Sequence, residues 1–200
     1  MDKKSYHHGE LRNALIQAAL TMLEQDGPDG LSLRALARAV GVSSMAPYHH
    51  FADRAELLAA VATEGFLRLQ TRKQDIQAIQ PSLREALAAG GANYVRFILD
   101  NPNLYLLMRS PEFSDHQRYP ALHRAASAPA ATLLDLMARF LDEQRLSSPS
   151  PIEGAHLLWG LSHGIGTLAL EGQMRADTAP DLAYQGSLAM IDGWIAGLKG

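Results

Sequence analysis

The sequence predicts an all-α protein of about nine helices, and three observations support this class. Apolar residues recur three and four positions apart along most of the chain, as they do on one face of an α-helix. Alternating runs of β-branched and aromatic residues, which would indicate strands, are absent. Serine, glycine and proline divide the helical stretches where helices start and end. We therefore expect a core built by helices alone.

Composition narrows the class of protein. The 200 residues contain no cysteine, which excludes disulfides and thiolate metal sites and is compatible with a cytoplasmic protein. Residues 1–12 lack the apolar core of a signal peptide, and no apolar run approaches the roughly 18 residues that span a bilayer. We therefore expect no membrane partner. The net charge of -3 excludes a protein that is basic all over but leaves room for a local nucleic-acid face.

The chain is predicted to begin with a polar arm and one helix. The arm, residues 2–9, carries Lys3 and Lys4. Basic arms can follow phosphates or enter a minor groove, and a frayed terminus is the alternative. The helix is predicted from Glu10 to Gln25, because glycine and proline follow it.

The stretch from Ser32 to Phe51 is predicted to form two short helices joined by a tight turn. Ser32 suits the N-cap of the first helix, and Gly41 suits its left-handed end. Ser43 or Ser44 can cap the second helix. A pair of short helices with a glycine in the turn is typical of a helix-turn-helix.

No acidic residue occurs between Asp29 and Asp53. A surface that approaches DNA phosphates must lack carboxylates and offer hydrogen-bond donors. An ordinary three-helix packing unit with a solvated face is the alternative, and the residues alone do not separate the two. The polar residues of this window are Ser32, Arg34, Arg38, Ser43, Ser44, Tyr48, His49 and His50.

A longer helix is predicted after this window, and a domain boundary after that helix. Asp53 and Glu56 form a D-x-x-E capping box at its start, and the helix is expected to reach about Ile79. Pro81 and Ser82 then break the chain. The predicted domains are residues 9–70, with the helix-turn-helix at 32–51, and residues 81–200.

The second domain is predicted to be helical throughout. Gly90 and Gly91 lie inside its first helix, where each costs about 1 kcal/mol against alanine, so we expect a close helix crossing or a bend beside a cavity. Pro129 lies inside a later helix, which either kinks there or begins near Ser127. The predicted helices are about 83–98, 102–108, 121–141, 151–171 and 180–198, with a loop at 111–120.

The last two predicted helices are apolar almost all round. Such helices must be buried on more than one side. We favour a second copy of the chain as the other partner, because two helices per chain would form a four-helix dimer interface. A fully internal helix pair is the alternative. The interface candidates are Trp159, Gly160, Leu168, Leu188, Ile191, Trp194 and Ile195.

The order of these motifs resembles the TetR/AcrR family of transcriptional regulators. The helix-turn-helix is followed by Tyr48-His49-His50-Phe51 and then by Arg54 at the start of the next helix, and the resemblance covers roughly residues 9–66. Trp159 spaced before His163-Gly164 also resembles one branch of the family. The resemblance implies a ligand-responsive regulator, and we expect a repressor, with an activator as the alternative that the residues leave open. It further implies a homodimer with two heads on a pseudo-palindromic double-stranded operator.

The resemblance also implies roles for single residues. Ser32 and Tyr48 fall where the family contacts phosphates. Arg54 falls where it usually has a lysine, and arginine can bind a phosphate through two N–H groups. Specificity is expected to rest partly on Arg34, the arm and DNA shape, because the segment that meets base edges has few strong donors. That segment comprises Ser43, Ser44, Met45, Ala46 and His49.

A small-molecule effector pocket is expected between the fifth and eighth helices. Its lining should be mostly apolar, so the effector should be largely apolar. Plain core packing is the alternative for the same residues. The candidates are Tyr94, Phe97, Leu104, Tyr105, Met108, Leu133, Met137, Trp159 and His163.

Other classes of function receive less support from the residues. His156 and His163 are roughly 10 Å apart along a helix axis, too far for both to hold one metal, so we expect no metal and no cofactor. An enzyme could use His163 with Glu153 or Asp135 as an acid–base pair, but the sequence contains no nucleophile elbow and no phosphate-binding glycine loop. We therefore expect no enzymatic activity. The alternative is a helical small-molecule binder or metal sensor without operator binding.

Overall fold

The computed structural model describes residues 8–197 and contains eight α-helices and three short 3-10 helices in that range. The described residues include no strand, so the predicted all-α class is confirmed and the helix count is close to nine. The α-helices are α1 (His8–Asp26), α2 (Leu33–Val40), α3 (Arg54–Ala78), α4 (Leu83–Asp100), α5 (Pro102–Met108), α6 (Pro120–Glu143), α7 (Pro151–Leu170) and α8 (Ala179–Ala196). The 3-10 helices are Pro28–Gly30, Ala46–His49 and Pro111–Phe113.

The chain packs into two compact units, which are kept under these names below. The first unit contains the residues up to Gly65 together with Asn103–Arg124, and the second contains Phe66–Pro102 and the residues from Ala125 onward. By packing, α5 and the segment after it therefore belong with the first unit. The predicted domains at 9–70 and 81–200 divide the chain by function, and that division stays a prediction.

The first unit has an apolar core to which α5 is attached by hydrogen bonds. The Asn103 side-chain amide donates to the Leu23 carbonyl at 3.0 Å, and the Leu104 N–H donates to a Glu24 carboxylate oxygen at 2.9 Å. Gly65 allows α3 and α5 to pack closely, because a Cβ at Gly65 would lie 2.6 Å from the Met108 sulfur. The fully buried side chains of this unit include Leu15, Leu23, Leu31, Leu36, Phe51, Leu57, Leu58 and Leu104.

The second unit is built around α4, which packs against α7 and α8. A Cβ on Gly91 would lie 2.6 Å from Ser162 Oγ and 3.2 Å from Ser187 Oγ. The close helix crossing predicted at the glycine pair is therefore confirmed at Gly91, whereas a Cβ on Gly90 would meet no atom within 4 Å. One core cluster joins four helices through Leu87, Met137, Phe140, Leu158 and Ile191.

Capping residues place the helix starts as local sequence predicts. Ser150 and Glu153 form a complete capping box at the start of α7. At α3 the box is shifted by one residue: Asp53 accepts from the Glu56 N–H at 2.8 Å, but Glu56 accepts from the Ala52 N–H at 2.7 Å. The α6 helix is continuous through Pro129, so it does not begin near residue 127. No helix in the described range is long and apolar enough to cross a bilayer.

Candidate nucleic-acid interface

The α2 helix is fixed at both ends by the residues predicted to do so. The Ser32 hydroxyl accepts a hydrogen bond from the Ala35 N–H at 3.1 Å. Gly41 adopts φ 76° and ψ 32°, and the Val42 N–H donates to the Ala37 carbonyl at 2.9 Å. This left-handed end turns the chain sharply without the clash that a Cβ would cause. The tight turn of the predicted motif is therefore present.

The second helix of the motif differs from the prediction. Only Ala46–His49 is helical, and it is a 3-10 helix that Met45 precedes without any side-chain cap from Ser43 or Ser44. Proline explains the difference, because Pro47 has no N–H with which to continue an α-helical ladder. The chain instead closes i→i+3 bonds, such as that from the Tyr48 N–H to the Met45 carbonyl at 3.1 Å.

Two buried residues hold this short segment against the rest of the first unit. Pro47 is buried, and Phe51 is 1% exposed beneath the Arg12 guanidinium, whose carbon lies 5.3 Å from the ring centroid. The residues around these anchors face outward. They are Ser43, Ser44, Met45 (62% exposed), Tyr48 (42% exposed) and His49.

A recess of about 400 Å³ opens on this face. It is lined by Arg34 of α2 together with Ser44, Met45 and Tyr48. None of these four side chains is acidic, and one carries a permanent positive charge. The recess therefore offers a guanidinium, two hydroxyls and an exposed thioether, which suits the phosphates and base edges of DNA.

Arg54 has a different environment from the one predicted for a phosphate contact. Its Nε donates to the Leu31 carbonyl at 2.9 Å, and one terminal nitrogen donates to the Pro28 carbonyl. These donors hold the loop that enters α2. The Nε edge of the guanidinium is thus occupied in this structure, and Arg54 holds the loop that leads to Ser32; its contact with a phosphate stays a prediction.

The segment after α5 contributes a residue that sequence reasoning missed. Arg118 forms an ion pair with Asp53 at 2.8 Å, and its guanidinium lies over the Tyr119 ring. Asp53 therefore both caps α3 and binds Arg118. The two residues are 65 positions apart, so helical spacing carries no signal for the pair.

The residues predicted to line the effector pocket are divided between the two units. Leu104, Tyr105 and Met108 are buried in the first unit. The other six belong to the second unit, where Phe97 and Met137 are buried in the core. The remaining candidates of the second unit are Tyr94, Leu133, Trp159 and His163.

An aromatic and histidine cluster joins α4 to α7 in the second unit. The Tyr94 hydroxyl and His163 Nδ1 are 3.1 Å apart, and the Trp159 ring centroid lies 5.7 Å from that of His163. Trp159 is 46% exposed. Within the described residues no three or more histidine, aspartate or glutamate side chains form a group that could hold a metal.

The predicted dimer residues fall into two groups. Trp159, Gly160 and Leu168 form part of an exposed face of α7, while Leu188, Trp194 and Ile195 are half-buried on α8. Ile191 is 0% exposed and packs in the core of its own chain, so its assignment to the interface is corrected. Further apolar residues exposed on these two helices are Ile152, Leu157 and Leu182.

Two family models match the chain. A model described as bacterial regulatory proteins, tetR family, matches residues 15–61. A model described as tetracyclin repressor-like, C-terminal domain, matches residues 87–191, which is more than half of the chain. The first match contains all four residues that line the recess.

Individual proteins are similar along most of their length. An HTH-type transcriptional repressor, AcnR of Corynebacterium efficiens, is 28% identical over 153 residues, covering 73% of this chain and 74% of that protein. A solved structure of a protein of unknown function from Rhodococcus sp. RHA1 is 32% identical, with a TM-score of 0.78, and covers 94% of this chain and 98% of that one. RolR, solved in complex with resorcinol, is 18% identical with a TM-score of 0.65, covering 92% and 88%; this likeness shows the fold alone.

Proposed function

The chain belongs to the TetR family of transcriptional regulators, which are ligand-responsive DNA-binding repressors, and from this premise we propose which of its residues carry out each step. The recess lined by Arg34, Ser44, Met45 and Tyr48 is the reading surface for DNA. The observation that carries this assignment is an exposed, acid-free face anchored from beneath by Pro47 and Phe51.

Ser32 and Tyr48 position the protein on the phosphates. The Ser32 oxygen already accepts from the Ala35 N–H, which leaves its O–H to donate to a phosphate. Tyr48 is exposed and can donate its phenolic O–H in the same way. Arg54 supports these contacts by holding the Pro28 and Leu31 carbonyls, so its part is positional.

Arg34 and Met45 supply most of the sequence preference. An arginine can donate two N–H groups to guanine O6 and N7, and an exposed thioether can pack on a thymine methyl group. Ser43, Ser44, Ala46 and His49 add weaker contacts from the same segment. Lys3 and Lys4 lie outside the described residues, and their role as a groove-following arm stays a prediction.

Dimerisation brings two such reading surfaces to one operator. The exposed apolar face of α7, with Trp159, Gly160 and Leu168, supports an interface with a second copy, because solvent contact with so much apolar surface is unfavourable. Leu188, Trp194 and Ile195 of α8 extend it. Two heads in successive major grooves would be about 34 to 36 Å apart, so the operator should be pseudo-palindromic.

A largely apolar effector binds in the second unit and releases the repressor from DNA. The lining proposed for this site is Tyr94, Phe97, Leu133, Met137, Trp159 and His163. An effector that binds the DNA-incompetent state more tightly shifts the population away from DNA by that difference in affinity. The protein works in the cytoplasm, where the operator is, and no catalytic step is part of this function.

The test of this proposal is operator binding at several salt concentrations. The full chain is incubated with DNA enriched from a random library, and the dissociation constant is measured by fluorescence anisotropy. Affinity should fall steeply with salt, because phosphate contacts release counterions. An affinity independent of salt would contradict the assignment and favour a helical small-molecule binder without an operator.

A paired variant tests the division between positioning and reading. Tyr48→Phe should weaken binding to all DNA sequences by the same factor, because it removes a phosphate contact. Met45→Ala should weaken binding mainly at sites containing thymine, and replacing that thymine by uracil should have no further effect on the variant. A sequence-dependent loss with Tyr48→Phe would contradict its assignment to phosphates.

A further inference from the structure

Lys73 places a charged group inside the second unit. It lies on α3 and is only 8% exposed. Its ammonium donates one hydrogen bond, to the Pro129 carbonyl of α6 at 2.7 Å. No carboxylate in the described part of the chain pairs with it, and burial alone lowers the pKa of Lys73 to about 8. At neutral pH it is therefore still mostly a buried cation, which is costly without a counter-ion.

Gln70 lies beside Lys73, one turn earlier on α3, and also has an unmet hydrogen-bonding group. Its amide nitrogen donates to the Thr132 hydroxyl at 2.8 Å, and that hydroxyl donates to the Ala128 carbonyl at 3.0 Å. The Gln70 amide oxygen is buried and has no hydrogen-bond partner. The Thr132 hydroxyl donates its one hydrogen to Ala128 and can therefore only accept from Gln70, which places the amide nitrogen at Thr132 and leaves the amide oxygen unpaired.

The unused groups at this point define the chemistry of a ligand. Lys73 keeps two further N–H donors on a positive charge, and the Gln70 oxygen keeps acceptor capacity. An anionic oxygen satisfies the first, and a hydroxyl next to that anion satisfies the second. Thr132 is followed on α6 by Leu133, Leu136 and Met137, which pack in the apolar core, so the rest of the ligand should be apolar.

We propose that Lys73 holds the carboxylate of a small, largely apolar acid inside the second unit, that the Gln70 oxygen accepts from a hydroxyl beside that carboxylate, and that this acid is the effector. An acid with a hydroxyl beside its carboxylate should bind best. The existence of the anion site is independent of DNA binding, whereas its role as the effector site rests on the proposed function.

The site also suggests how binding is communicated. Two side-chain hydrogen bonds join α3 to α6, one from Gln70 to Thr132 and one from Lys73 to the Pro129 carbonyl. A carboxylate attracts the ammonium more strongly than the neutral Pro129 carbonyl does, because an ion pair adds charge–charge attraction, and it therefore draws the ammonium away from that carbonyl. Binding therefore alters the link between α6 and the helix that begins beside the DNA-reading face at Arg54.

The anion site is tested by following the titration of Lys73 in the full chain by carbon-13 NMR of lysine. The other lysines, Lys3, Lys4 and Lys199, lie near the termini, and a Lys73→Arg spectrum assigns the signal. Mandelate, benzoate, hexanoate and decanoate are compared with their neutral amides. At least one acid should raise the pKa of Lys73 by about 1 to 2, with mandelate more effective than benzoate, and its amide should not. A titration unchanged by all four acids would overturn the proposal.

Matched variants then test the ligand role. Lys73→Met should lose at least about tenfold in affinity for the acid that binds, whereas Arg72→Met should not, because Arg72 pairs with Asp100 at the surface. Thermal unfolding confirms that both variants fold. Equal acid affinity in wild type and Lys73→Met would place the acid elsewhere and overturn the site.

Operator DNA separates the two halves of the proposal. The acid should release wild type and Arg72→Met from DNA but leave Lys73→Met bound. Acid binding at Lys73 without release would overturn the effector role alone. Failure of wild type to bind any DNA before acid is added would contradict the proposed function and leave the anion site standing on the NMR titration.

Discussion

The two compact units place their polar groups in opposite ways. In the first unit, the exposed face carries Arg34, Ser44 and Tyr48 over an apolar interior. In the second unit, polar groups lie inside. The described residues with a buried charged, amide or serine side chain all belong to it, namely Lys73, Asn93, Ser162 and Ser187, whereas the first unit buries the tyrosines Tyr105 and Tyr119. The difference teaches where each unit can recognise a partner: the first at its surface, and the second in its interior.

The largest expected effect is on stability, when the buried charge of the second unit is removed. Lys73→Met should raise the free energy of unfolding at pH 7 by about 3 kcal/mol, because the lowered pKa measures the cost of burying the ammonium. Chemical denaturation measures it, and Arg72→Met serves as the exposed control.

The same variant tests how the stability of the protein depends on pH. The pKa of Lys73 is about 8 in the folded protein and 10.5 in its ordinary state, so the unfolded chain binds more protons between these values. Burial of the Lys73 ammonium therefore lowers the free energy of unfolding by its full amount below pH 8. This loss of stability becomes smaller as the pH rises from 8 to 10.5. The difference between wild type and Lys73→Met should shrink over that window. Parallel pH profiles would show that the ammonium is not buried as described.

The next effect concerns the surface of the first unit. Arg34→Ala should lower affinity for the enriched DNA by about 10- to 100-fold and relax preference at one base pair, because a bidentate contact to guanine is lost. Stability should change by less than about 0.5 kcal/mol, since Arg34 is exposed. Arg109→Ala removes the same charge elsewhere on the first unit. An equal loss in both variants would mean that Arg34 acts only through net charge.

A smaller effect tests the packing of the second unit with two neighbouring glycines. Gly91→Ala should destabilise the protein by about 1 to 3 kcal/mol, because its Cβ would meet Ser162 Oγ at 2.6 Å. Gly90→Ala should stabilise it by about 0.5 to 1 kcal/mol, because its Cβ meets nothing within 4 Å and alanine favours the helix. Denaturant midpoints measure both, and equal signs would refute the crossing at Gly91.

The smallest effect concerns the exposed ion pair of the first unit. Arg118→Ala and Asp53→Asn should each cost less than about 1 kcal/mol, because both charges are half exposed. Asparagine still caps α3, so Asp53→Ala should cost about 1 kcal/mol more than Asp53→Asn. Thermal unfolding of the three variants tests this order, and equal losses for Asp53→Asn and Asp53→Ala would remove the capping role.

Local rules explain which parts of the fold could be predicted. The ends of α2 and the start of α7 depend on residues within a few positions, so Ser32, Gly41 and Ser150 indicated them directly. The 3-10 helix at Ala46–His49 differs from the prediction even though its cause is local, because a proline such as Pro47 is also tolerated in the first turn of an α-helix. Greater weight on the missing N–H predicts the shorter helix.

The rest of the candidate sites depends on contacts between distant segments. The buried Lys73 lies four residues after buried Leu69, and this spacing is the one signal in the sequence for its burial. The neighbouring residues Arg68, Arg72 and Gln74 are polar, a pattern that is instead typical of a solvent-exposed stretch of helix. On α8, an almost uniformly apolar helix cannot reveal that Ile191 faces its own core while Trp194 is half-buried. The Asp53–Arg118 pair has no local signal at all.

The anchoring of the reading segment by Pro47 and Phe51 has an evolutionary consequence. The side chains that would meet bases, Ser43, Ser44 and Met45, are exposed and support no core packing. Substitutions there are nearly neutral for folding, so a descendant of this protein can acquire a new operator without first gaining stability to spare. The same separation makes this segment a suitable target for laboratory selection of altered DNA specificity.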